Sequence, residues 1–117
     1  MSNNSNFTVR NSTTQRLVLR DHRANQGIWQ GTPPAAINVG AVTPTMSITS
    51  NNNGPTSGYV IYEADSGPQP RHSVEFSVVC SPTEAAGRVR TFNSATWRHT
   101  VIYGTHNPLN VAFTLTN

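Results

Sequence analysis

The chain is 117 residues long, with eight arginines, no lysine, five acids and a formal net charge of +3. Only 11% of it is charged, while Ser, Thr and Asn supply 11, 15 and 13 residues, and Val plus Ile number 16 against 4 Leu. These figures argue against a coiled coil or helical bundle, against a membrane-spanning helix and, with one cysteine, against a disulfide scaffold.

Length favours a single domain over residues 1–117, and composition is uniform along it. Leu, Ile, Val and Phe together number 24, which leaves a thin core. Thr fits half-exposed strands and Asn fits turns. The first residues, MSNNSNFTVR, lack the apolar stretch of a secretory signal. The expected location is therefore the cytoplasm, or outside the cell by a non-classical route.

Taken in chain order, short runs of period-two patterning alternate with turn formers. Phe7 and Val9 share a face, then Leu17 and Leu19. Gly27 and Gly31 bracket Ile28-Trp29-Gln30, and Pro33-Pro34 and Gly40 follow. Met46 and Ile48 alternate with Thr and Ser. Ser50–Ser57 reads as a loop, and Tyr59–Tyr62 as a strand apolar on both faces. Val74, Phe76 and Val78 form another alternation. Residues 83–87 (Thr-Glu-Ala-Ala-Gly) read as one helical turn stopped by Gly87. Trp97, His99, Val101 and Tyr103 alternate with Arg98, Thr100 and Ile102, and Val111, Phe113 and Leu115 close the chain. About eight short strands of this kind predict an all-β, antiparallel β-sandwich. A core this small favours homo-oligomer formation.

Residues for chemistry are few. His22, His72, His99 and His106 have no tight ligand spacing, and one Cys builds no zinc site, so no metal or cofactor is expected. Asp21 and His22 are neighbours that a strand points to opposite faces. Glu63 and Asp65 would share a strand face, but a Gly67-Pro68 turn follows at once. No nucleophile elbow or phosphate loop is present. The reading is a non-enzymatic protein. The arginines are not massed with aromatics, so nucleic acid is not an expected partner.

Trp29 lies in a short, loop-bound segment and is the aromatic most suited to exposure, whereas Trp97 suits the core. The succession Phe7-Thr8-Val9-Arg10-Asn11, Leu17-Val18-Leu19, Gly27-Ile28-Trp29, Pro33-Pro34 with Ile37 and Gly40, then Gly58–Tyr62, Val74-x-Phe76 and Val111-x-Phe113-x-Leu115 has a family likeness. Its order resembles the small aegerolysin-like and actinoporin-like β-sandwich proteins. The chain departs from aegerolysins in being basic and short. The resemblance implies a sandwich that recognises membrane lipids, in some members with pore formation, and hence a cytolytic or defence role.

The expected partners are thus membrane lipid head groups. Trp29 and Tyr62 are the expected apolar anchors, and Arg20 and Arg23 the expected phosphate contacts. Two alternatives stand beside this reading. One is a lectin whose aromatics stack on a glycan. The other is a structural or storage protein that self-assembles through strand edges.

Overall fold

The computed structural model describes residues 3–94, 96–104 and 107–117. It is all-β. The strands are β1 (Ser5–Ser12), β2 (Leu17–Gln26), β3 (Ile28–Trp29), β4 (Ala36–Ile37), β5 (Met46–Thr49), β6 (Thr56–Ala64), β7 (Ser73–Cys80), β8 (Ala85–Phe92), β9 (Arg98–Tyr103) and β10 (Leu109–Thr116). They form two five-stranded sheets, the first ordered β3-β5-β1-β10-β9 and the second β4-β2-β6-β7-β8.

The alternation read from the sequence is the alternation of burial. Phe7, Val9, Ile48, Val111, Phe113 and Leu115 point inward from the first sheet. Leu17, Val60, Tyr62, Val74, Phe76 and Val78 meet them from the second. Phe113 joins the layers, with ring centroids 5.9 Å from Phe7 and 5.2 Å from Phe76. Trp97 is buried in the same core, edge-on to His72 at 5.3 Å.

One pairing departs from the antiparallel expectation. β1 and β10 run parallel, from Ser5 opposite Leu109 to Ser12 opposite Thr116. The other strand pairs are antiparallel. Parallel neighbours need a crossover rather than a hairpin, and here the whole second sheet intervenes between them.

Gly27 is where the chain leaves β2 in the second sheet and enters β3 in the first. Its φ is +89°, and a Cβ there would lie 2.7 Å from the Thr49 carbonyl oxygen. Only glycine fits both conditions.

Two local expectations are corrected. Residues 85–87 open strand β8 rather than forming a helical turn. Gly87 is a glycine because the first sheet lies beneath it: a Cβ there would sit 2.6 Å from Val111 Cγ1. Packing space, not helix termination, selects Gly87. The expected loop Ser50–Ser57 is also too long by two residues, because Thr56 and Ser57 begin β6. Buried Thr56 donates to the Asn3 carbonyl oxygen at 2.6 Å and lies 2.7 Å from the Ser5 hydroxyl, closing the sandwich at that end.

Buried polar groups are tied in pairs. Asn11 donates to the carbonyls of Gln15 (2.8 Å) and Ile37 (3.0 Å) and accepts from the Thr13 amide and hydroxyl. Such full satisfaction is what makes a buried amide tolerable.

Candidate functional site

The four residues expected to bind ligand are not brought together. Tyr62 is fully buried in the core, and its hydroxyl donates to the Pro34 carbonyl oxygen at 2.8 Å. Burial pushes its phenol well above the ordinary tyrosine range. A surface anchoring role for Tyr62 is therefore corrected: β6 is covered on its inner face, and position 62 shares that face with Val60 and Ala64.

Trp29 is half-buried. Opposite Ile48, it turns its indole into the gap between the sheets, edge-on to Phe7 and to His22, each at 5.8 Å. Its Nε1 is buried with no acceptor among the described residues. It borders a small cleft of about 80 Å³ with Gln30, Thr32, the three prolines 33, 34 and 44, Thr45 and Met46. Trp29 thus closes the sandwich edge instead of standing out as a platform.

Arg20 and Arg23 lie on exposed parts of β2. Arg20 is held by Glu63. Arg23 stands in register with Tyr59, whose hydroxyl donates to Asp21 at 3.2 Å. The Glu63 and Asp65 pair likewise dissolves into two ion pairs, Arg20–Glu63 and Arg16–Asp65, both toward β2. Arg88 is paired with Glu84 at 2.9 Å, and Arg90 lies over the Phe92 ring at 4.8 Å. Among the described residues no three of His, Cys, Asp and Glu cluster as metal ligands. His106 lies outside the described residues.

The charge pattern separates the two sheets. All five acids, Asp21, Glu63, Asp65, Glu75 and Glu84, lie in the strands and loops of the second sheet. The first sheet has none. Its outer face is built in rows by the strand register. Thr8, Ala112 and Ile102 form one row, then Arg10, Thr114 and Thr100, then Ser12, Thr116 and Arg98. Successive rows stand about 7 Å apart. Arg10 and Arg98 are exposed and make no ion pair with any described residue.

At the upper end this face is concave. An open groove of about 410 Å³ is bordered by Asn6, Thr8, Thr45, Ile102, Tyr103 and Asn110. Asn6 sits between Ser47, whose hydroxyl donates to its Oδ1 at 2.8 Å, and Asn110 at 3.3 Å. Ile102 is 72% exposed on its rim. The arrangement offers hydroxyl and amide groups, one apolar projection and two unneutralised guanidinium groups, with no carboxylate to repel an anion. Sequence reading missed it because its members come from β1, the residue before β5, β9 and β10, whose placement on one face the linear pattern does not state. The distribution of acids along the chain was the available signal: none precedes Asp21 and none follows Glu84.

No helix long and apolar enough to cross a membrane occurs among the described residues. No protein-family profile matches the sequence, and no curated protein does. Among solved structures the chain is similar to the lipid binding protein Nakanori. The match covers 100% of this chain and 72% of that one, with a TM-score of 0.83 and 10% sequence identity. At that identity the likeness shows the fold, the single β-sandwich that the sequence-level resemblance implied.

Proposed function

We propose that this chain is a non-enzymatic lipid-binding module that docks on membrane head groups through the outer face of its first sheet. The observation that carries the reading is the segregation of charge: that face presents Arg10 and Arg98 and no acid. A cationic surface without carboxylates is drawn to anionic head groups by about 1 kcal/mol for each arginine near the membrane surface. The fold likeness to a protein described as lipid binding supports the same class. Ile102 enters the interfacial region while Arg10 and Arg98 donate to phosphate oxygens. A cytolytic or defensive consequence of such binding belongs to this proposal as its downstream step.

The test is co-sedimentation with vesicles of varied composition, with and without sphingolipid, at low and physiological salt. Lipid-selective binding that survives physiological salt supports the reading. Binding to no vesicle overturns it.

The groove favours one second reading. Its border of Asn6, Thr8, Thr45 and Asn110 supplies both donors and acceptors, the chemistry that matches the hydroxyls of a neutral glycan. Competition of vesicle binding by a free sugar would place the glycan, not the phosphate, in the groove.

A further inference from the structure

A strand at the edge of a sheet exposes unpaired N–H and C=O groups, and proteins blunt such edges by keeping them short or charged. Two of the four edges here, β3 and β4, are two residues long. A third, β8, carries Arg88 and Arg90 on exposed positions. The fourth, β9, is charged only at its first residue, Arg98. It is six residues long, and His99 through Tyr103 contains no Arg, Asp, Glu or Pro.

β9 also overhangs the second sheet. His99 and Tyr103 lie in register with Leu115 and Val111, whose side chains are buried inward, yet both are exposed. Thr100 and Ile102, on the outer face, are exposed too. Among the described residues no strand pairs with its outer edge, and every side chain of β9 but Val101, which packs against the core, is exposed.

We infer that β9 is a self-association edge, pairing antiparallel with β9 of a second copy about a two-fold axis at Thr100. The occupant is another copy because the strand is complementary to itself. Its sole formal charge, Arg98, stands at one end and its exposed apolar side chains, Ile102 and Tyr103, at the other. Antiparallel pairing separates the two arginines and sets each toward its partner's apolar end. Opposed side chains in such a pair share a face. The two first sheets then join into one ten-stranded sheet whose acid-free outer faces are continuous. A six-residue strand buries less than the roughly 1,000 Å² of a stable interface. The dimer is therefore weak in solution and strengthened wherever copies are concentrated, as on a surface.

This inference does not rest on the lipid reading, and one experiment separates them. Sedimentation equilibrium of the full chain is followed over rising concentration for the wild type and for Thr100→Lys, which places like charges at the two-fold axis. In parallel, Thr100→Cys and Ser77→Cys are made in a Cys80→Ala background and oxidised. Circular dichroism checks that each variant folds. The expected result is a concentration-dependent dimer that Thr100→Lys abolishes, and a covalent dimer through position 100 but not through position 77 on the second sheet. A wild type that stays monomeric throughout with no cross-link at 100, or a dimer untouched by Thr100→Lys, overturns the inference. Vesicle binding is read on the wild type alone, because Thr100 lies on the proposed docking face. A wild type that binds vesicles but stays monomeric sinks only the dimer, and one that dimerises but binds no vesicle sinks only the lipid reading.

Discussion

Tyr62 shows how a single residue can carry the pattern of one role and the environment of another. Its phenol is surrounded by core and bonded to Pro34. Tyr62→Phe removes that bond while keeping the ring, so it should cost about 1 kcal/mol in urea denaturation and leave vesicle binding unchanged. The same burial fixes an alkaline limit. The pKa values of Tyr62 and Cys80 are raised by burial above their ordinary values of 10.0 and 9.0. The folded state keeps these protons where the unfolded state loses them. Their contribution is therefore complete below pH 9 and lost as pH rises through the raised values, by up to about 1.4 kcal/mol per pH unit for each group. Urea midpoints measured from pH 7 to 11 should fall above pH 9, and less steeply for Tyr62→Phe. Trp29 belongs with the core by the same reasoning. Trp29→Ala should destabilise by about 3 kcal/mol, because the indole packs on Phe7. A variant as stable as the wild type would return Trp29 to the surface.

At the scale of elements, the sequence was legible where both sheets press on one strand. The alternations at Phe7–Val9, Val74–Val78 and Val111–Leu115 are core faces because each inward side chain meets the opposite sheet. It was illegible where size rather than polarity decides. Ala85-Ala86-Gly87 reads as a helix end, yet Gly87 is there to let Val111 approach. Register was equally hidden. The parallel pairing of β1 with β10 sets Arg10 beside Thr114 and, through β9, near Thr100, and no local pattern encodes that neighbourhood. Arg20 and Arg23 looked promising because they precede Trp29 in sequence. The crossing at Gly27 instead puts them on a different sheet from it. Gly27→Ala tests this crossing: the strained φ and the contact with Thr49 should lower stability by more than about 1 kcal/mol in thermal or urea unfolding.

For the whole molecule, the decisive property is a two-sided charge distribution on a symmetric-looking sandwich. The second sheet and its loops pair three of their six arginines internally, through Glu63, Asp65 and Glu84. The first sheet neutralises neither of its own. Of the net charge of +3, +2 therefore stands on the acid-free first sheet and +1 on the second. Phosphate contacts at that face should weaken with added salt, as exposed charges do, while the contribution of Ile102 should persist. Ile102→Asp, on a 72% exposed side chain, should leave stability within about 0.5 kcal/mol and lower vesicle affinity at every salt concentration.

The most direct measurement compares two double variants in one vesicle-binding titration at physiological salt. Arg10→Ala/Arg98→Ala strips the outer face of the first sheet, and Arg88→Ala/Arg90→Ala removes the same charge from the second. If the first sheet is the docking face, the former pair loses about 2 kcal/mol, a thirtyfold weakening, and the latter binds nearly as the wild type does. Equal losses for the two pairs, or a larger loss for Arg88→Ala/Arg90→Ala, would contradict the assignment of that face.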